Sequence, residues 1–198
     1  MLSLDKLPRK LEGNKVKLML LTEAHRAPLG EIAKDERIWR YYPLEGTRDY
    51  AFNSWFDESL ADAKKLLSWP YAAYEIPSGS LIGTVRFEFV VKEHDRLSVG
   101  GTWLHPDAWR KGFNTEMNYL LFEVAFETLS AQRVEVRVDG RNAANLSAFR
   151  SFGAVEEGTL RQMYLTADGY RADRVVFSVL RHEWPDVKSR MADKLHRP

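Results

Sequence analysis

The residues best placed to do chemistry lie in a turn between a strand and a helix. Trp109-Arg110-Lys111-Gly112-Phe113-Asn114-Thr115 sets two cations and one glycine directly before an apolar-periodic run. Met117, Leu120, Leu121, Val124, Ala125 and Leu129 recur at helical spacing, and Asn114 or Thr115 can cap the start. The first amides of a helix have no internal partners and carry the positive end of its dipole. Gly112 lets the backbone curl so that several amides converge, and Arg110 and Lys111 add charge. The chemistry this suits is capture of a phosphate or pyrophosphate. A solvated loop with a plain cap has the same composition, so the turn alone does not decide. The chain contains neither GxxxxGK[ST] nor GxGxxG, which excludes a P-loop and a dinucleotide fingerprint.

The elements that must position this turn follow from periodicity. Val99 to Leu104 has strand composition, and His105-Pro106-Asp107 ends it. Upstream, Lys15 to Leu21 alternates as a first strand. Thr22 caps a helix through Ala33, which Pro28 should interrupt. Ile38 to Pro43 is an aromatic loop, and a second helix runs from Thr47 to about Leu67. Tyr71–Ile76 and Leu81–Val91 read as strands around a Pro77-Ser78-Gly79-Ser80 turn. Downstream, Arg133–Asp139 is a strand with Val134, Val136 and Val138 facing inward. Asn142 caps a short helix that Gly153 ends. Val155–Leu165 and Arg174–Leu180 are strands around Asp168-Gly169. Residues 1–14 and 186–198 are expected to be peripheral tails.

Composition narrows the class. The chain has 198 residues, 44% hydrophobic and 29% charged, enough for one globular domain with a proper core. A net charge of +1 implies no general attraction to nucleic acid or to a membrane. A nucleic-acid reading would rest on Arg110, Lys111, Arg133, Arg137 and Arg141, which form no basic run. There are no cysteines, which excludes disulfides, thiolate metal sites and a cysteine nucleophile. The five histidines are scattered outside metal-ligand spacing, so no metal site is expected. No apolar stretch suggests a signal peptide or a membrane span, and a cytoplasmic location is expected.

Several of these segments together resemble a known family. Gly101-Thr102-Trp103-Leu104, then Trp109 to Glu116, is similar to the acetyl-CoA loop of the GNAT superfamily of N-acyltransferases, and within it to the RimJ/RimL-like branch. The likeness continues through Arg133–Asp139, Arg141-Asn142, Phe152-Gly153-Ala154, Glu157–Arg161, Asp168–Asp173, Val175–Leu180 and Glu183-Trp184-Pro185. It covers roughly residues 80 to 190 closely. The superfamily loop usually reads Gln or Arg, two residues, Gly, one residue, Gly or Ala; here Trp109 and Asn114 fill the outer positions. Many relatives also carry a glutamate where this chain has Ser98, Ser where it has Asn145, and Tyr where it has Phe149.

The resemblance implies an α+β single domain: a twisted mixed sheet flanked by helices, with two strands splayed apart as a coenzyme cleft. It implies an acetyl-CoA-dependent transfer of acetyl to a primary amine, on a protein N-terminus or a small molecule, by direct attack. Trp103, Leu104, Trp109, Arg110, Lys111, Gly112, Phe113, Asn114, Thr115, Asn142 and Asn145 would bind the coenzyme. Asn145, Ser98 and Glu88 are the catalytic candidates, with Glu75 and Glu135 weighed as bases and set aside as surface residues. Trp39 and Tyr41, in the aromatic loop, are candidates for the acceptor pocket, whereas helical spacing assigns Trp55 to the core. The resemblance also allows a homodimer. The substitutions at Ser98, Asn145 and Phe149 motivate an alternative: an inactive acyl-CoA-binding regulatory module of the same fold.

Overall fold

The computed structural model describes residues 2–196. Its strands are β1 (Lys10–Glu12), β2 (Val16–Leu20), β3 (Trp69–Glu75), β4 (Leu81–Val91), β5 (Arg96–Leu104), β6 (Arg133–Asp139), β7 (Val155–Leu165) and β8 (Arg171–Leu180). They form one sheet in the order β1-β2-β3-β4-β5-β6-β8-β7. Every pairing is antiparallel except β5 with β6, which are parallel. The helices are α1 (Arg26–Ala33), α2 (Asp49–Lys64), α3 (Phe113–Glu123), α4 (Ala143–Phe152) and α5 (Trp184–Leu195). This is the expected α+β domain.

Two apolar layers hold the sheet. On one face Val85, Phe87, Val99, Val134, Val136 and Val138 pack with Met117 and Leu121 of α3, Phe149 of α4 and Met191 of α5. On the other, Leu29, Ala33, Phe52 and Phe56 of α1 and α2 pack with Ala72, Trp39 and Trp103. Strand alternation assigns the faces: the valines of β6 go to α3, and the charged residues between them go to the α2 side. α3 continues into one wide turn over Val124–Thr128, in which the Leu129 amide donates to the Val124 carbonyl at 2.9 Å.

The parallel junction is short. Arg96, Leu97 and Ser98 pair with Arg133, Val134 and Glu135, and there the pairing ends. Beyond it β5 and β6 part. Register explains the bend of β5. From Thr84↔Trp103 to Arg86↔Gly100 the ladder advances two residues on β4 but three on β5; from Glu88↔Ser98 to Val91↔Arg96 it advances three on β4 and two on β5. Each strand therefore carries one bulge, with Gly101 at φ 57° on β5 and Phe89 at φ 49° on β4. The stretch between the bulges turns Arg86 and Glu88 toward the opening.

Some expectations are corrected. The segments expected to be peripheral are built into the body. Leu2 is buried, Ser3 donates to the Leu129 carbonyl, Pro8 accepts from Tyr71 Oη at 2.7 Å, and Val187 and Met191 of α5 are core residues. Pro28 does not interrupt α1, because it sits in the first turn, where an amide has no intrahelical acceptor. α2 stops at Lys64, short of Leu67, and the chain reverses at Leu66, which has φ 57°. Four of the six residues of the aromatic loop, 38–41, lie in a 3-10 turn, Glu36–Tyr41. No helix among the described residues is long and apolar enough to cross a membrane.

Candidate active site

The basic turn enters α3 through two left-handed residues, Arg110 at φ 61° and Gly112 at φ 86°. Gly112 is the N-cap and no side chain caps the helix; the first intrahelical bond runs from the Glu116 amide to the Gly112 carbonyl. The amides of Phe113, Asn114 and Thr115 are therefore left for a ligand. A Cβ at position 112 would meet only Lys15 Nζ, at 3.4 Å, so the cradle is open. Lys15, from the start of β2, donates to the Lys111 carbonyl and adds a third cation beside Arg110 and Lys111. Three free amides and three cations fit a pyrophosphate. Phe113 is buried and offers only its backbone. Trp109 donates from Nε1 to the Leu104 carbonyl at 2.9 Å, which ties the turn to the end of β5.

Lys15 is held there by Glu116, a residue with no local signature of such a role. Glu116, 3% exposed in the first turn of α3, accepts from three consecutive amides: Asn14 at 2.8 Å, Lys15 at 2.8 Å and Val16 at 2.7 Å. An acid at this position reads simply as a favourable charge at a helix start. Its partners are about a hundred residues away in sequence, and nothing local signals them.

The turn opens onto a cleft of about 400 Å³ between the parted ends of β5 and β6. Asn114 and Asn145 bridge its mouth: Asn114 Nδ2 donates to Asn145 Oδ1 at 3.3 Å. Asn142 caps α4 by accepting from the Asn145 amide at 3.2 Å. Thus Asn114, Asn142 and Asn145, chosen from sequence, converge. Leu104 and Trp103 lie on β5. The His105 amide donates to Ile82, so antiparallel alternation gives the Trp103 amide to β4 and turns the Leu104 amide toward the gap.

The α2 side of the cleft is lined by Tyr41, Tyr42, Trp55, Arg86, Glu88 and Tyr164. Tyr42 donates to the Thr102 carbonyl, and Tyr164 donates to Asp139 and, at 3.0 Å, to the Tyr41 carbonyl. Burial pushes both phenols well above the usual tyrosine range. Asp139 accepts from the Arg141 amide, Nε and Nη2 at 2.8, 3.0 and 2.9 Å. Burial alone would raise its pKa, but the bonds from Arg141 and Tyr164 hold it below the ordinary value. Glu88 lies against Gly100, where a Cβ would stand 2.9 Å from its Cδ. Burial pushes Glu88 above the usual carboxylate range, although Arg86, Arg174 and Arg137 pull it back.

Other candidates fall elsewhere. Trp39 is buried, donates to the Ala33 carbonyl at 2.8 Å and packs on Trp103, so it stands behind the cleft wall. Trp55, expected in the core, packs half-buried against Phe52, Phe56 and Trp103 and also lines the cleft. Ser98 is opposite Glu88 in register but 1% exposed, away from the cleft lining. Glu135 is also buried, between Arg133 at 3.0 Å and Arg137 at 2.7 Å, rather than on the surface.

Comparison with known proteins gives the family to which this parted strand junction belongs. Residues 15–155 match the family model described as the acetyltransferase (GNAT) domain. The chain belongs to the GNAT acetyltransferase family. It is 25% identical over 182 residues to the uncharacterized N-acetyltransferase YoaA of Bacillus subtilis, covering 86% of this chain and 96% of YoaA. A crystal structure from T. thermophilus, provisionally assigned as an acetyltransferase, is 32% identical with TM-score 0.82, covering 96% and 98% of the two chains. Mycobacterium smegmatis RimJ, solved with CoA-disulfide, shares the fold at 17% identity and TM-score 0.78 over 90% and 88% of the chains. GNAT enzymes use acetyl-CoA and an acceptor, and this chain is a GNAT acetyltransferase.

Proposed function

We propose that this chain transfers acetyl from acetyl-CoA to a primary amine, of a protein N-terminus or a small molecule, by direct attack, as a member of the RimJ/RimL-like branch. The observation that carries the reading is the opposition of two sites across one gap. An anion cradle lies on the α3 side, and a carboxylate of raised pKa lies on the α2 side.

The amides of Phe113, Asn114 and Thr115, with Arg110, Lys111 and Lys15, hold the pyrophosphate of the coenzyme, which supplies an already activated acetyl thioester. Gly112 keeps the cradle open. The Leu104 amide is a backbone donor for the oxygen that gains charge during transfer. Asn145 has its Oδ1 engaged by Asn114, which leaves Nδ2 as the donor at the mouth. Glu88 takes a proton from the acceptor's ammonium, which frees the neutral amine to attack the acetyl carbon as the C–S bond breaks and coenzyme A leaves as its thiol; the raised pKa of Glu88 brings it closer to the range in which a base works at neutral pH. Tyr41 and Trp55 flank the acceptor.

Titration of acetyl-CoA into wild type and Gly112→Asp tests the cradle. The aspartate puts a negative charge against the pyrophosphate, and binding is expected to be lost with the fold intact. Unchanged affinity would refute the site. Thiol release over a panel of amines and peptides then separates an active enzyme from an inactive acyl-CoA-binding module.

A further inference from the structure

The geometry points to an acceptor that carries a carboxylate close to its amine, with Arg86 as the group that reads it. This rests on the acetyltransferase reading and names the substrate class of that same site.

Arg86 lies two residues before Glu88 on β4, on the same face, between the two bulges. Its side chain packs on Gly101, where a Cβ would stand 2.8 Å from its Cγ and Cδ, so the bulge glycine makes room for it. Its guanidinium lies over the Trp55 ring, 5.0 Å from the centroid, which fixes its plane. Yet Nε and Nη2 are buried and have no hydrogen-bond partner among the described residues. An unmet buried donor carries a desolvation cost, greater when it is charged, and folded proteins seldom keep one without use.

The neighbouring charges do not meet that need. Arg137 is committed to Glu135 at 2.7 Å, and Arg174 donates to the Arg137 carbonyl at 3.4 Å and lies over Tyr164. Glu88 makes no hydrogen bond to Arg86. The guanidinium lines both the coenzyme cleft and a second cavity of about 450 Å³ that adjoins it on the α2 side. Charges around that second cavity are three arginines, Arg86, Arg96 and Arg137, against Asp62 and Glu88. Ser68 Oγ, buried in its wall, also lacks a partner. An arginine fork held flat by an aromatic ring matches a carboxylate through two parallel bonds. Positions two apart on a strand are about 6.6 Å apart. An acceptor that gives its amine to Glu88 and its carboxylate to Arg86 is therefore compact. Free α-amino acids qualify, and so do peptide N-termini with an acidic residue next to the amine.

The test measures thiol release at saturating acetyl-CoA with acceptors in matched pairs. One arm compares alanine, serine and glutamate with their α-carboxamides. The other compares the peptide amide Ser-Glu-Ala with Ser-Gln-Ala. The carboxylate member is expected to win by at least about tenfold in kcat/KM in one arm, which identifies the source of the carboxylate. Arg86→Gln should bring that ratio close to one, chiefly through KM, with acetyl-CoA affinity unchanged by titration. Arg86→Lys, which keeps charge but not the fork, should fall between. Turnover with no carboxylate preference in either arm, or a preference that survives in a folded Arg86→Gln, overturns this inference alone. Absence of acetyl-CoA binding overturns the acetyltransferase reading beneath it.

Discussion

Replacing Glu116 by glutamine keeps the shape of the side chain and removes its charge. In the native protein Oε1 accepts from Asn14 and Oε2 from Lys15 and Val16. The best arrangement of a carboxamide turns its oxygen to Lys15 and Val16 and its NH₂ toward the Asn14 amide, where donor meets donor. One buried amide is then orphaned, at about 1–3 kcal/mol. The two surviving bonds lose their charge assistance, about 1 kcal/mol between them on the same scale. The negative charge in the first turn of α3 is also lost, at about 0.5 kcal/mol. Relief from burying a carboxylate offsets part of this. The net expectation is a loss of about 3 kcal/mol. For a chain of this size that is roughly 6–12 °C in Tm. Equilibrium urea unfolding measures it directly, with the slope unchanged if the loss lies in the native state. Acetyl-CoA affinity should also fall several-fold, because Lys15 is no longer pinned beside the turn. A stability loss under about 1 kcal/mol would refute the account of Glu116 as the clamp between β2 and α3.

Other expectations follow from the α2 side. Glu88→Gln should lower kcat by about a hundredfold or more and flatten the rise of rate with pH. It should also stabilise the protein at neutral pH. With its folded pKa raised above 4.5, Glu88 costs stability as pH climbs from the unfolded value through the folded one, and the amide lacks that loss. Thermal melts of both proteins across pH check the sign. Asp139→Asn should cost about 3 kcal/mol near neutrality by leaving Arg141 and Tyr164 poorly met. The wild type should lose that advantage as pH falls below 3.8 and through the depressed pKa, so the two proteins converge in acid. Gly100→Val should displace the Glu88 carboxylate and depress kcat more than acetyl-CoA affinity, as kinetics and titration would separate.

Much of this architecture was legible because it is locally encoded. The valines of β6 alternate, the α3 run repeats at helical spacing, Asn142 caps α4, and Gly153 closes it at φ 88°. The parts that escaped depend on distant partners. β1 is three residues long, too short for alternation to show. A lone arginine on a strand, such as Arg86, reads as solvated; only α2 packing across it buries the guanidinium. Trp39 left its expected place at the cleft, and Trp55 lines the cleft as well as the core, for a similar reason. The Glu36–Tyr41 turn folds its tryptophan inward onto Trp103, which leaves Trp55 to form the wall. Lys15 reaches the basic turn only because Glu116 gathers the amides around it.

An open sheet ordinarily has two edges, and this one has four. β1 and β7 form the outer pair, and the parting of β5 from β6 creates two more within the molecule. Outer edges invite other strands, and β7 discourages them with two register shifts and with Glu156, Glu157 and Arg161. The inner edges, residues 99–104 and 136–139, are guarded only by the Gly101 bulge and by Arg137 and Asp139, and otherwise depend on enclosure between helices. Any partial opening of α3 or α4 uncovers two valine-bearing strand edges at once. Aggregation during heating or refolding should therefore begin at the gap between β5 and β6, and a coenzyme bound there, as proposed, should act as a chaperone for its own enzyme.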